Sequence, residues 1–207
     1  MLRKLNVESI LLLIAVGYPF LMHYWLINEN FIVASFYIIS AVTLLSVQNF
    51  IHGHKGFGFG LLGVVIIICT FLLYEEKLVI YFPPIVMPLV IAYIFSKTLL
   101  GEQDAFITAI AKKIRQSALA AEEIKYTRNL TYAWIGFLLF IAIEAAITAF
   151  IVDLKTWSYI TNFINYIFVA IFAIVEYFLR HIVLSHLDHL GFIEFIKKLI
   201  HVQMDKK

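Results

Sequence analysis

Two polar residues inside apolar segments are the first candidates for chemistry in this chain. Glu144 lies eight residues before Val152, where one apolar segment ends, and Asn165 lies eight residues after Trp157, where the next begins. With a helical rise of 1.5 Å per residue, both side chains are expected about 12 Å from the same membrane boundary. The spacing predicts a hydrogen bond between them. This bond is either structural or part of a proton-relay or substrate-binding site, because ionisable groups at such depth are costly.

The remaining ionisable groups with suggestive spacing are a second carboxylate and the histidines. Glu176 precedes Arg180 by four residues, which predicts an architectural ion pair within one helix. Histidine clusters hold iron in membrane desaturases, but those enzymes use denser histidine boxes than this chain offers. We therefore predict no metal, no cofactor and no catalytic residue, and keep a histidine-ligated metalloenzyme acting on lipid as an alternative. The six histidines considered are His52, His54, His181, His186, His189 and His201.

The elements that must position these groups are apolar segments long enough to cross a bilayer. The chain has 207 residues, of which 62% are hydrophobic and only 14% charged. A spanning helix needs about 20 mostly apolar residues. The sequence thus predicts an all-α, polytopic membrane bundle that forms a single integral membrane domain over residues 1–207. The six predicted spans are about 10–27, 31–50, 58–74, 79–100, 130–152 and 157–179. The first is expected to be retained rather than cleaved as a signal peptide.

Positive charge is distributed unevenly along these segments. If the amino terminus is cytoplasmic, fourteen of the sixteen lysines and arginines fall on the cytoplasmic side, and only Lys77 and Lys155 fall outside. The positive-inside rule therefore predicts a multi-pass protein of the bacterial inner membrane with both termini in the cytoplasm.

Two further segments have amphipathic rather than uniformly apolar patterns. Residues 103–125 and 187–202 each place apolar side chains at helical spacing between charged ones. We expect both to be interfacial helices on the inner membrane surface, and membrane anchoring is favoured over partner docking.

Glycines lie at the start of the third predicted span, and prolines lie in the fourth. Gly56 and Gly60 form a small-residue pair, which predicts close approach of a neighbouring helix. Pro83 and Pro84 indicate that the fourth helix begins at Pro83 or bends there, and a helix start is favoured.

A set of residues between Tyr81 and Arg180 carries a family resemblance. The set is Ile124-Lys125-Tyr126-Thr127-Arg128, Thr131, Trp134, Gly136, Phe137, Thr148, Ala149, Trp157, Tyr166, Glu176, Tyr177 and Arg180, with Tyr18-Pro19-Phe20-Leu21 and His23 matching more loosely. At this spacing the chain resembles a family of small, uncharacterised bacterial inner-membrane proteins often encoded with aryl-polyene (xanthomonadin-type) pigment biosynthesis enzymes. One departure is that the family commonly has asparagine at the position of Ile141, and apolar residues at those of Glu144 and Asn165.

The resemblance implies a role in making, handling or exporting an aryl polyene or related lipid, without implying an activity. We expect a non-enzymatic accessory protein that binds a lipidic intermediate or docks cytoplasmic enzymes. Tyr126, Arg128 and Arg180 are the expected binding residues, where the arginines would clamp an anionic lipid head or an acyl-carrier phosphopantetheine. Positive-inside anchoring alone would also place arginines there.

The expected partners are membrane lipids, with lipid-biosynthesis enzymes or an acyl carrier protein as a further class, and no nucleic acid. The principal alternative is a small secondary transporter that uses Glu144. The binding residues taken together are Tyr126, Arg128, Arg180, Glu144, Asn165 and Glu176.

Overall fold

The computed structural model describes residues 7–101, 103–115 and 118–185, and these residues are helical with no β-strand. The all-α prediction is therefore confirmed for this part of the chain. The helices are α1 (Val7–Ile27), α2 (Phe31–Ile51), α3 (Lys55–Tyr74), α4 (Glu76–Leu99), α5 (Phe106–Arg115), α6 (Ala121–Ile151), α7 (Leu154–Tyr159) and α8 (Asn165–Val183), with a π-helical stretch, Ile160–Ile164, between the last two.

Five helical stretches are long and apolar enough to cross a membrane. They are Phe31–Ile51, Lys55–Tyr74, Lys77–Leu99, Ala121–Ile151 and Leu154–Val183. They coincide with the last five of the six predicted spans, and the first predicted span corresponds to the shorter apolar stretch Leu13–Ile27 in α1. The described part of the chain is thus all-helical, and its apolar helices suggest a membrane protein.

The predicted surface helix over residues 103–125 is wrong as a single helix. α5 ends at Arg115, residues 118–120 are not helical, and residues 121–125 form the start of α6. The side-chain oxygens of Thr108 and Thr127 lie 2.8 Å apart although 19 residues separate them in sequence. In one continuous helix they would be about 28 Å apart. The chain instead folds back so that α5 packs against the first turns of α6.

The second predicted interfacial helix, 187–202, lies outside the described residues. The predicted start of the fourth helix is also wrong, since α4 begins at Glu76 and contains Pro83, Pro84 and Pro88. The turn before the prolines is anchored by Val79 and Ile80, which are both buried in the hydrophobic core. Packing therefore holds this turn in a helix that proline alone would disfavour.

The close contact expected at Gly56 and Gly60 occurs at Gly58 instead. Beyond its own helix, a Cβ built on Gly56 or Gly60 would meet no atom of the described residues within 4 Å, whereas a Cβ on Gly58 would lie 3.0 Å from the Phe50 ring. The Ser46 hydroxyl also donates to the Gly58 carbonyl over 2.9 Å. The glycine pairing prediction named the right segment of α3 but the wrong face.

The described helices group into two compact units. The first takes the described residues within 1–85 and 144–166, and the second takes those within 86–143 and 167–207. The first unit has a core cluster in which Trp157 is the largest buried side chain. The other buried members are Met22, Leu26, Phe31, Ala34, Ile38, Ile68, Val79 and Ile80.

The start of α7 is stabilised by Asp153, which lies between the spans. Its carboxylate accepts hydrogen bonds from the Lys155 and Thr156 amides, both over 3.0 Å, and from the Thr156 hydroxyl over 2.7 Å. These bonds, that of the Thr156 hydroxyl first, hold the pKa of Asp153 below its ordinary value. Such a cap satisfies amide groups that have no partner within the helix.

We expect this cap to be lost in acid. Because folding lowers the pKa of Asp153, its contribution is present above the unfolded pKa and disappears as pH falls through the folded value. Amide-exchange protection of Lys155 and Thr156 should therefore drop below about pH 4. Asp153→Asn should keep the cap but show no such step, and an identical step in this variant would exclude the carboxylate as its cause.

Candidate functional site

In the first unit, Glu144 on α6 is hydrogen-bonded to Asn165 at the start of α8. The Asn165 Nδ2 atom donates to Glu144 Oε2 over 2.9 Å, which confirms the hydrogen bond predicted from matched depth. The Thr148 hydroxyl donates to the Glu144 carbonyl over 2.7 Å and lies 3.3 Å from Oε1. One carboxylate oxygen, Oε2, therefore accepts from a neutral amide donor, and the other lies close to a hydroxyl group.

Asn165 directly follows the π-helical stretch Ile160–Ile164. Its backbone N–H donates to the Ile160 carbonyl, five residues earlier. In and just before this wider turn, side chains donate hydrogen bonds to backbone carbonyls one turn earlier. The Thr161 hydroxyl donates to Trp157 O over 3.0 Å, and Asn162 Nδ2 donates to Ser158 O over 2.9 Å. Single π turns inside helices are frequent at functional sites, so this stretch strengthens the candidacy of the residues around it.

A second polar contact in the same unit joins α1 to α7. His23 Nδ1 shares a hydrogen bond of 3.0 Å with Ser158 Oγ, and Asn162 Nδ2 lies 3.2 Å from the same hydroxyl. The Phe163 ring packs edge-on against His23 at 5.2 Å. Sequence reasoning named His23 only through the family resemblance and missed Ser158, because a pair 135 residues apart leaves no local signal.

Some buried polar atoms in this unit lack a hydrogen-bond partner among the described residues. They are Asn162 Oδ1, Asn165 Oδ1 and Ser35 Oγ. Asn162 is 2% exposed and Asn165 is 5% exposed. Buried polar groups are nearly always satisfied, so each exception calls for an explanation.

In the second unit, the predicted pair between Glu176 and Arg180 is present. Arg180 donates to Glu176 Oε1 from Nη2 over 2.6 Å and from Nε over 2.9 Å. The Tyr126 hydroxyl lies 3.4 Å from the Glu176 carbonyl, which connects α6 to α8. The ion pair is thus predictable from the sequence, whereas the contact of Tyr126 with the Glu176 backbone is seen only in the structure.

Arg128 has a different environment from Arg180. Its Nη2 atom donates to the Leu99 carbonyl at the end of α4 over 3.3 Å, and the residue is exposed. A cation suits a helix carboxyl terminus because the last carbonyls carry partial negative charge. One nitrogen of the guanidinium is thus bound to the end of α4. Because the side chain is exposed, the rest of the guanidinium is accessible to a ligand.

The threonines near Tyr126 and Arg128 fix α5 on α6. Thr108, Thr127 and Thr131 are all buried, and the Ile107 amide lies 3.4 Å from the Thr131 hydroxyl. Arg115 and Glu123 form an ion pair between the same two helices. The start of α6, which carries Tyr126 and Arg128, is therefore held rigidly.

The described residues contain no group of three histidine, cysteine or acidic side chains placed to hold a metal ion. His52 and His54 are exposed at the turn between α2 and α3. His186, His189 and His201 lie outside the described residues.

The described residues define a class of protein: a helical protein whose long apolar helices suit a membrane and contain polar side chains. Comparison with known proteins does not narrow this class, since no protein-family model, curated protein or solved structure matches the chain. The family resemblance therefore stays a prediction.

Proposed function

We propose that this chain is a non-enzymatic accessory protein of the bacterial inner membrane that takes part in aryl-polyene or related lipid biosynthesis or export. In this proposal it binds a lipidic intermediate, and both termini lie in the cytoplasm. The observation that carries it is the exposed Arg128, which lies near the start of α6, is held by the Leu99 carbonyl and belongs to the residues that resemble the family.

Other basic residues of the second unit support an anionic ligand. Three lysines of the second unit, Lys97, Lys113 and Lys125, are also exposed. Basic residues near a membrane surface each attract anionic headgroups by about 1 kcal/mol. A guanidinium adds planar, two-point recognition of phosphate or carboxylate. This combination fits the acidic head of a lipid, with the acyl or polyene chain lying against the apolar helices.

Docking of a cytoplasmic enzyme or an acyl carrier protein would use the same basic surface. A carrier-bound intermediate presents a phosphate on its phosphopantetheine arm. Arg128 would therefore bind an anionic group whether the ligand is a free lipid or one attached to a carrier. The two forms of the proposal differ in whether the ligand is a free lipid or one attached to a carrier.

We expect Arg128→Gln to lose most of the bound anionic lipid without loss of membrane insertion. Removing one guanidinium contact to an anion should weaken binding by roughly tenfold to a hundredfold, because charge-assisted hydrogen bonds contribute about 1.5–3 kcal/mol. Native mass spectrometry of protein released from membranes measures the retained lipid. Lys155→Gln is the matched control, since it removes one exposed charge on the side predicted to face outward.

Equal lipid retention in the Arg128→Gln and Lys155→Gln variants would remove the role of Arg128. Loss in both would indicate general attraction of anionic lipid rather than a site.

Proton-coupled transport through Glu144 is a second candidate function, and the contact between Glu144 and Asn165 favours it. A carboxylate inside a membrane helix is a functional candidate by default. The metalloenzyme alternative stays a prediction, because three of the six histidines it would use, His186, His189 and His201, lie outside the described residues.

A further inference from the structure

A histidine near the end of α1 is hydrogen-bonded to a serine of α7 in the first unit. His23 Nδ1 lies 3.0 Å from Ser158 Oγ, and Asn162 Nδ2 lies 3.2 Å from the same oxygen. Ser158 is fully buried, whereas His23 is half-buried. His23 lies four residues before the end of α1, which is about 6 Å along the helix axis. A proton from the aqueous phase can therefore reach this histidine.

The hydrogen bonds around Ser158 determine where the hydrogen atoms lie. Asn162 Nδ2 donates to the Ser158 carbonyl over 2.9 Å, and the reversed amide would instead bring two oxygen atoms together. The Ser158 hydroxyl thus accepts from Asn162 and must donate its own hydrogen to another atom. Among the described residues, the acceptor within its reach is His23 Nδ1. In this arrangement His23 is therefore neutral, with its hydrogen on Nε2.

A protonated His23 would have no acidic partner nearby on the described helices around it. The elements packed most closely against α1 are α2, α7 and the π-helical stretch. Lys155 acts electrostatically on His23 and has the same charge as an imidazolium. The Asp153 carboxylate caps α7, and Glu8 lies about 22 Å before His23 along α1. The charged or titratable residues on α1 and on these three elements are Glu8, Tyr18, His23, Tyr24, Tyr37, Lys155 and Tyr159.

We propose that the bond between His23 and Ser158 is a pH-sensitive contact that holds α1 on α7 only while His23 is neutral. Protonation adds a hydrogen to Nδ1, so His23 and Asn162 then both direct donors at the Ser158 oxygen, and the serine hydrogen loses its acceptor. A buried donor without an acceptor is unfavourable, and so is a second positive charge near Lys155. The arrangement in which α1 and α7 separate at this point binds the proton more strongly. Acidification therefore favours separation.

Hydrogen exchange of the purified full-length protein in detergent, followed by mass spectrometry at about pH 8 and about pH 5, measures this separation. After correction for the intrinsic pH dependence of exchange, we expect about tenfold faster exchange in α7 and at the end of α1 at the lower pH. His23→Gln is the matched variant, because its amide oxygen can accept the Ser158 hydrogen but does not titrate. It should show no such change. His54→Gln, which removes an exposed histidine between α2 and α3, should keep the wild-type change.

Nitrogen-15 NMR of protein labelled at histidine gives a second readout, which does not depend on the folding of a variant for its meaning. At about pH 8 the His23 ring should be neutral with its hydrogen on Nε2, since Nδ1 accepts from Ser158. A hydrogen on Nδ1 at this pH would overturn the proposal. Exchange that does not change with pH in the wild-type protein would also overturn it, as would an equal acid-induced change in a folded His23→Gln protein.

Discussion

Replacing Trp157 with alanine is expected to give the largest loss of stability in this protein. Trp157 is 1% exposed and belongs to the core of the first unit. Its indole N–H donates to the Ala145 carbonyl over 2.9 Å, and its ring packs edge-on against Tyr81 at 4.6 Å. Truncation of a buried tryptophan costs about 3–5 kcal/mol through lost contacts and the cavity left behind.

Reversible unfolding in mixed detergent micelles measures this loss. Trp157→Phe is the matched variant, because it keeps an aromatic ring but removes the indole donor, and it should lose clearly less stability than Trp157→Ala. A loss below about 1 kcal/mol for Trp157→Ala would contradict the packing described for the first unit, since it would lie in the range of surface substitutions.

Replacing Gly58 with valine is expected to have the next largest effect. The added side chain would meet the Phe50 ring at 3.0 Å, and that ring is itself packed edge-on against Phe59 at 5.0 Å. Overpacking of this kind costs about 1–3 kcal/mol. The substitution would also disturb the bond from Ser46 to the Gly58 carbonyl, which joins α2 to α3.

Gly60→Val is the control for this prediction. It makes the same chemical change two residues further along α3, where a built Cβ meets no atom within 4 Å. Both variants therefore have the same change in helix propensity. The difference between their free energies of unfolding measures the effect of the contact with Phe50. Equal unfolding free energies for the two variants would show that α2 and α3 do not pack at Gly58.

Contacts between residues at matched depth, or one turn apart, could be predicted from the sequence. The sequence predicts the contact between Glu144 and Asn165 because each lies eight residues from the end of an apolar segment, and a straight helix converts that count into depth. Glu176 and Arg180 follow the helical repeat. The apolar spans themselves follow from composition and length.

Features that depend on tertiary packing were not predictable in the same way. The pattern of residues 103–125 suits one helix, and only the contact between Thr108 and Thr127 reveals the fold back on α6. The helical turn before Pro83 is held by burial of Val79 and Ile80, which overrides the local preference of proline.

The π-helical stretch and the bond between His23 and Ser158 were missed for a related reason. A π turn has no residue pattern of its own, and this one becomes visible only when Asn165 donates five residues back. His23 and Ser158 lie in the first and last spans of the first unit, and no spacing rule relates residues so far apart in sequence.

The central claim is participation in the biosynthesis or export of an aryl-polyene or related lipid. Deletion of the gene in its own host, followed by pigment absorbance and mass spectrometry of the extracted lipids, tests it most directly. We predict loss of a polyene lipid or accumulation of its precursor, restored by the wild-type gene and not by Arg128→Gln. An unchanged lipid profile in the deletion strain would contradict the claim.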